Sequence, residues 1–484
     1  MKNEYHHHNQ GQSLPAQSAN PVTYMTPAEI KAFQPYKLLD DGLNPVSRAY
    51  KRMVDHGVWE SHQILGSRWG IGCVALEVTQ RCNLDCTLCY LSESSESVKD
   101  IPLEEIYRRI DMIFKHYGEN TDVQVTGGDP TLRQRDELIE IVKKIKSYGM
   151  RPTLMTNGIK ATRELLTDLR NAGLVDVAFH VDSTQERKGY KTEKDLHKFR
   201  QDYIERVRGL GMSVLFNTTV HKDNFDEVPE IIQFFKKNAD VVNFASFQLQ
   251  AETGRGVLRE RDIIITTKTV ADQIRKGTGE NLRFDVPLIG HKECNHYATS
   301  LIVNDNCYDA FYDADYIRKM VAVTKDVVAE RDNQKGMARK IVKTVMSDPA
   351  NWLPSIRYAG RLVWRMKGDL FKAKAQVRKQ SYFIHNFMGA SNLEKCRIDT
   401  CSFVVMTHDG PISMCMHNAK RDDFILKPFK VEKEAKYWNP LTGQLQTSDD
   451  FLKDETNLRA YQIKGTLKEK RVANAPTTKV AQES

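Results

Sequence analysis

The chain has 484 residues, 40% of them apolar and 28% charged, with a formal net charge of +8. This balance excludes wholesale disorder and allows a large core, ordinarily shared between two or more domains. No run approaches the roughly 18–20 uninterrupted apolar residues that cross a bilayer, and the polar start lacks the apolar core of a secretory signal. The expected location is therefore cytoplasmic, where nine cysteines read as metal ligands sooner than disulfides.

Residues 1–25 are polar, rich in Pro, Gln and Ser, and aperiodic, so a disordered tail is expected. The His6–His8 run within it reads as an unstructured polar stretch sooner than as a metal site. Thr26-Pro27 opens a short helix by the cap-then-proline rule, and a second helix is expected from Ser47 towards Ile64. Residues 26–73 would thus form a helical cover.

From Val74 the pattern becomes strand–helix alternation. Strands are expected at 74–79, 122–126, 152–156, 175–181, 213–220 and 241–248. The clearest helix starts near Pro102 and lines up Leu103, Ile106, Ile110, Ile113, Phe114 and Tyr117 on one face. Six such units predict a parallel sheet with right-handed crossovers over residues 74–250.

Cys82, Cys86 and Cys89 follow the first strand in the spacing C-x3-C-x2-C. Thiolates select soft metals, and iron–sulfur clusters normally take four cysteines, so a loop offering three points to a cluster with one open iron. A fragment of a zinc site, or three unrelated buried thiols, are the alternatives. The triplet resembles the defining motif of the radical S-adenosylmethionine (radical SAM) superfamily. That resemblance implies an α/β fold built as a partial (β/α)6 TIM-like barrel. It also implies a [4Fe–4S] cluster whose open iron binds S-adenosylmethionine, and an electron donor such as a flavodoxin or ferredoxin. The residue before the third cysteine is often aromatic in the family and is Leu88 here, so Tyr90 becomes the candidate to cover the adenine.

Polar residues recur at the carboxyl ends of the expected strands, where a parallel barrel builds its active site. Gly127-Gly128-Asp129-Pro130 is similar to the family's Gly-Gly-Glu-Pro element, which receives the methionine amino group, with a shorter carboxylate. Thr156 and Asn157, His180 and Asp182, Asn217, and Gln248 complete the expected rim around the cofactor. Each alone reads as a turn or cap residue; their recurrence at successive strand ends favours a pocket. No catalytic triad or carboxylate pair is evident, so no catalytic side chain is assigned.

Residues 251–465 are expected to form a cysteine-bearing α+β domain, with a short helix at 269–275, a strand-like 283–287 and a helix at 308–331. Within it Cys396, Cys401 and Cys415 fall in one compact module, 396–417. With Cys294 they make a candidate set for a second [4Fe–4S] cluster, against zinc or free thiols. Cys307 is the spare, and His291, His296 and His417 are possible substitutes for a missing ligand. Residues 466–484 are expected to be a disordered tail.

Residues 335–379 hold twelve Lys and Arg against Asp348 and Asp369, so this segment carries +10 and the remainder is slightly acidic. Trp352, Leu353, Ile356, Trp364 and Phe371 interleave with the cations. Such composition suits an anionic membrane surface; nucleic acid is the less favoured partner, and a solvated helix packed on the barrel is the plain alternative. Pro349 and Pro354 argue against one long helix. The module around Met414-Cys415-Met416-His417, with Gly-His-x-x-Cys at 290–294, has a looser resemblance to the tetraether-lipid synthase-like subgroup. That implies hydrogen abstraction from a lipid or membrane-associated substrate. A peptide- or protein-modifying enzyme is the second reading, and a non-enzymatic iron–sulfur or zinc protein binding nucleic acid is the third.

Overall fold

The computed structural model describes residues 22–327, 334–431 and 435–447. The expected tails lie outside them, apart from residues 22–25. These four residues are not a loose tail: Tyr24 bridges Glu394, and the Met25 amide donates to the Leu393 carbonyl at 2.8 Å.

Helix α1 (Pro27–Ala32) starts on a capping box, with Thr26 and Glu29 each receiving the other's backbone N–H. Helix α2 (Pro45–Asp55) stops well before Ile64. Gly57 takes φ +67°, and the Val58 amide bonds back to the Met53 carbonyl at 2.9 Å, which closes the helix.

Six strands then alternate with helices: β1 (Cys73–Thr79), α3 (Leu103–Tyr117), β2 (Asp122–Gly127), α4 (Arg135–Ser147), β3 (Arg151–Thr156) and α5 (Arg163–Asn171), followed by β4 (Asp176–His180), α6 (His197–Val207), β5 (Ser213–Val220), α7 (Val228–Lys237) and β6 (Val242–Leu249). Neighbours β1 to β6 all pair in parallel, as the alternation requires. One face of this sheet presents Val74, Leu76, Val123, Val125, Leu154, Phe179, Phe216 and Phe247 to the helices, where Ile106, Ile110 and Ile113 of α3 join the same core. Because side chains alternate along a strand, the opposite face carries Glu77, Thr126, His180, Asn217 and Ser246. The fold therefore turns a polar surface inward.

Most strands beyond residue 250 extend the same sheet; Phe429–Val431, Lys436–Asn439 and Gln444–Gln446 form a small antiparallel sheet of their own. After α8 (Thr267–Thr278) come β7 (Asn295–Val303), β8 (Asn306–Asp309), α9 (Ala314–Val323), α10 (Gln334–Met346), α11 (Trp352–Lys372), β9 (Arg378–His385), α12 (Lys395–Asp399), β10 (Phe403–Met406), β11 (Pro411–Ser413) and α13 (Met414–Ala419). Strand β9 pairs in parallel with β6, and β10 in parallel with β1. The result is one eleven-stranded sheet in the order β11-β10-β1-β2-β3-β4-β5-β6-β9-β7-β8. The sheet thus runs through the expected domain boundary near residue 250.

Three further expectations need correction. Residues 283–287 form no strand; the chain regains ladder geometry only at Leu288, which bridges Gln63. Within the described part of the helix expected at 308–331 only α9 is helical, because Asn304 and Asp305 take left-handed φ (48° and 59°) and fold β8 onto β7; residues 328–331 lie outside the described residues. The basic segment is not one helix, as expected, since α10 and α11 are separated by a turn at Pro349, but Pro354 makes no break: it sits in the first turn of α11, where backbone amides have no helical partner. Among the described residues no helix is long and apolar enough to cross a membrane.

Candidate active site

The loop leaving β1 carries Cys82, Cys86 and Cys89, and other strand ends hold it in place. Gly127 and Gly128 make this possible. A Cβ on Gly127 would meet the Thr79 carbonyl oxygen at 1.9 Å, and one on Gly128 the Arg81 carbonyl oxygen at 2.0 Å. Only glycine lets the two backbones approach this closely. The Gly128 and Asp129 amides then donate to those same carbonyls, each at 2.8 Å.

Further contacts pin the loop from above. The Thr87 amide donates to the Thr184 carbonyl at 2.9 Å. Asn157 donates Nδ2 to Asn83 Oδ1 at 2.6 Å and lies 3.9 Å from the Cys82 sulfur. Arg255 was not anticipated and does the most: its amide donates to the Cys89 carbonyl at 2.9 Å, while its buried guanidinium reaches Asp85 at 2.9 Å and Glu96 at 2.6 Å. The available signal was Gly254-Arg255-Gly256. A Cβ on Gly254 would meet the Tyr90 carbonyl oxygen at 2.4 Å.

Two of the residues expected at the cofactor already have partners within the protein. Asp129 is buried, and its carboxylate already accepts from the Thr131 amide and hydroxyl, the Thr156 hydroxyl and the Asn157 amide. Four donors fill its lone pairs, so it ties β2 to the end of β3 instead of reaching into the pocket. Pro130 opens the single 3₁₀ turn that follows. Tyr90 is held from beneath as well. Its hydroxyl donates to the Gly127 carbonyl at 2.6 Å, and the Arg421 guanidinium lies 4.7 Å from its ring centre. Arg421 in turn pairs with Glu77 at 2.9 Å, a buried pair that sequence reasoning missed.

The remaining rim residues are gathered together. His180 pairs with Asp182 at 2.7 Å, and the carboxylate also accepts from the Thr219 amide at 2.7 Å. Burial disfavours the imidazolium, but the Asp182 charge outweighs it and raises the His180 pKa; the same partner holds Asp182 below the usual carboxylate range despite its burial. Asn217 lies in register with His180 on one side and with Ser246 on the other. The Ser246 hydroxyl is buried with no hydrogen-bond partner. Gln248 is in register with Thr219 and with His385 of β9.

The three thiols suit an iron–sulfur cluster. Burial raises all three pKa values, Cys82 to about 11; repulsion from neighbouring thiols adds to this at Cys82 and Cys86, while Arg255 partly offsets it at Cys89. Bound iron removes that penalty by neutralising the thiolates. Ser246, an orphaned donor on the inner face beside Asn217, suits a polar ligand. Among the described residues no three His, Cys, Asp or Glu side chains converge as ligands of a single metal ion. A four-iron cluster holds its thiolates further apart, since each binds a different iron.

The later cysteines gather only in part. Cys294, Cys401 and Cys415 lie within electrostatic reach of one another, and Arg397 Nε is 3.3 Å from the Cys294 sulfur. Cys396 faces the His56 carbonyl at 3.9 Å and has no cysteine among its electrostatic neighbours. Cys307 lies on β8 with Tyr382 and Ser300. His417 stacks on Phe424, and His291 lies 3.7 Å from Glu394.

Comparison with known proteins matches residues 76–235 to the family described as the Radical SAM superfamily. A 7,8-dihydro-6-hydroxymethylpterin dimethyltransferase of Methanocaldococcus jannaschii is 27% identical, covering 74% of this chain and 79% of that protein. A PqqA peptide cyclase of Bradyrhizobium diazoefficiens is 28% identical over 36% of this chain and 46% of its own length. A GTP 3′,8-cyclase of Marinobacter nauticus is 28% identical over 44% of this chain and 64% of its own. The chain therefore spans about half to two-thirds of the two cyclases.

Proposed function

From the membership of this chain in the radical SAM superfamily, we propose that Cys82, Cys86 and Cys89 hold a [4Fe–4S] cluster beside bound S-adenosylmethionine, and that the enzyme removes a hydrogen atom from a substrate carbon. When bound and reduced, these cofactors supply the reductive cleavage of S-adenosylmethionine that produces a 5′-deoxyadenosyl radical. The chain's own residues bind and orient. Arg255, Asn157 and the Gly127-Gly128 turn fix the thiol loop. Thr156, Asn157, the His180–Asp182 pair, Asn217, Ser246 and Gln248 offer polar contacts across the inner face, and the surrounding core excludes water.

The observation that carries this reading is three half-buried cysteines on the one loop that leaves the carboxyl end of β1 in a parallel sheet, within electrostatic reach of one another. The test is anaerobic reconstitution with iron and sulfide, then dithionite and S-adenosylmethionine, with chromatography for 5′-deoxyadenosine. Product is expected from the wild type and none from Cys82→Ala. An intact cluster that yields no 5′-deoxyadenosine defeats the reading.

A second cluster on Cys294, Cys401 and Cys415, with Cys396 as fourth ligand after a local shift, belongs to the same proposal. It raises the iron content from about four to about eight per chain. For the substrate we favour a lipid or membrane-associated molecule, supported by the exposed apolar residues of α11. A polar substrate, a peptide or a pterin-like ring, is the second reading, because relatives with those names align over 36% and 74% of this chain respectively. Metabolite and lipid profiles of a strain lacking the protein separate the two.

A further inference from the structure

Helix α11 has an inner and an outer face of different character. Its inner face packs Leu362 and Met366 against Val303, Tyr308 and Tyr312, and so covers the β8 edge of the sheet. On the outer face Leu353, Ile356, Trp364 and Phe371 are 74%, 65%, 67% and 88% exposed. At 3.6 residues per turn these four, with Gly360 and Lys367, fall within an arc of about 80°. Large apolar side chains lined up in water mark an interaction surface sooner than scattered exposure does.

The charges around this stripe are sorted by sign. Arg357, Arg361 and Lys367 are exposed and form no ion pair with another described residue, and the Lys367 ammonium lies 4.7 Å from the Trp364 ring centre. The two carboxylates of the segment are turned to internal work. Asp369 accepts from Asn304, Asn306 and Tyr308 at 2.9, 2.7 and 2.5 Å, while Asp348 caps the turn before α11 through the Ala350 amide. Arg365, the cation that points inward, pairs with Glu280. What remains outside is apolar and cationic.

We infer that α11 lies flat on the surface of an anionic bilayer, with Leu353, Ile356, Trp364 and Phe371 at the boundary between headgroups and acyl chains and Arg357, Arg361 and Lys367 on lipid phosphates. A second copy of this chain would bring two +10 segments face to face, which repels. A nucleic-acid backbone would satisfy the charges but leave Leu353 and Phe371 with nowhere to bury. A lipid surface satisfies both, and tryptophan is at home at that depth. The docking uses no residue of the cysteine site, so it stands or falls apart from the catalytic proposal.

The test is co-sedimentation of the anaerobically prepared full chain with vesicles of phosphatidylglycerol and phosphatidylcholine in equal parts, beside vesicles of phosphatidylcholine alone. Binding to the anionic vesicles is expected, weakening as salt rises. Trp364→Glu with Phe371→Glu, and separately Arg357→Glu with Arg361→Glu, should each cut partitioning by about tenfold or more. All four positions are exposed, so an unchanged thermal transition is expected for both pairs. Equal binding to neutral vesicles, or binding that survives both pairs of changes, overturns the proposal. So does failure to bind vesicles while the same variants abolish a dimer in analytical ultracentrifugation or lose affinity for duplex DNA; those results assign the face to a second copy or to nucleic acid.

Discussion

Asp129 accepts the backbone N–H of Asn157 at 2.9 Å, and Asn157 in turn reaches Asn83 and the Cys82 sulfur. A carboxylate at the end of β2 thereby sets the end of β3, which sets the cysteine loop after β1. This relay gives the Gly-Gly-Asp-Pro element a structural role that its likeness to a cofactor-binding element does not express.

The relay predicts what Asp129→Asn does. An amide group would turn a donor towards the Thr156 hydroxyl or the Asn157 amide, which already donate. Leaving a buried donor unpaired costs about 1–3 kcal/mol. Urea denaturation should show that loss, and the reconstituted protein should release iron faster on gel filtration. Unchanged stability would mean that the carboxylate is free for ligand after all.

Gly128→Ala should be disruptive, because its Cβ would meet the backbone carbonyls of Arg81 at 2.0 Å and Gln80 at 2.8 Å. Backbone cannot swing aside as a side chain can, so a loss of about 1–3 kcal/mol or more is expected. Gly368→Ala is the control. It lies in α11 with nothing within 4 Å of its Cβ, and should stabilise by up to about 1 kcal/mol. Thermal melts of the two variants should move in opposite directions.

Arg200 and Glu193 form a fully buried pair beneath the exit of β4, and Glu193 Oε1 accepts from the Ser183 amide at 2.9 Å and from Asn224 at 2.8 Å. Arg200→Met leaves that carboxylate buried without its counter-charge. The expected cost is about 3–5 kcal/mol, read from the shift in urea midpoint. Because Ser183 and Thr184 adjoin the thiol loop through Thr87, cluster retention should fall as well.

The His180–Asp182 pair makes stability depend on pH in a defined direction. His180 has a raised pKa in the folded state, so its contribution is complete below the ordinary histidine value and fades as pH rises through the raised one. Asp182 has a lowered pKa, so its contribution is present above the ordinary aspartate value and fades as pH falls. The pair therefore contributes from roughly pH 4 up to the raised histidine value. Urea midpoints of the wild type should fall on passing above that value, and His180→Gln should remove this fall. Identical pH profiles would show that the imidazole is neutral in the folded protein.

Replacing Arg255 by Met should loosen the thiol loop without unfolding the barrel. Its partners Asp85 and Glu96 keep access to solvent, so the cost should be near 1.5–3 kcal/mol, as for a hydrogen bond to a charged group. Iron content after desalting is the sensitive readout and should drop below that of the wild type.

Strands β1 to β6 could be read from the sequence because each is a short apolar run bounded by turn residues, and β5 was matched at both ends. Strand β10 is not legible in the same way, since it is only four residues long and finds its partner β1 across more than three hundred residues of chain. Arg255 escaped for the same reason: a lone arginine between two glycines becomes informative only when Asp85 and Cys89 are beside it. Cys396 and Cys401 are close in sequence, yet Cys396 lies within α12 and Cys401 beyond its end, so one thiol faces the His56 carbonyl and the other the Phe403 carbonyl.

The sequence by itself determined the spacing of three thiols, the strand–helix alternation and the excess of positive charge. Each of these is local, written in neighbouring residues. Only the tertiary structure decided which polar groups are already used and which remain available. Asp129 and Tyr90 turn inward to buttress the site, whereas the Ser246 hydroxyl is left without a partner and the apolar stripe of α11 without cover. The physical reason is that a hydrogen bond or a buried surface needs a second partner, and the fold brings that partner from far along the chain.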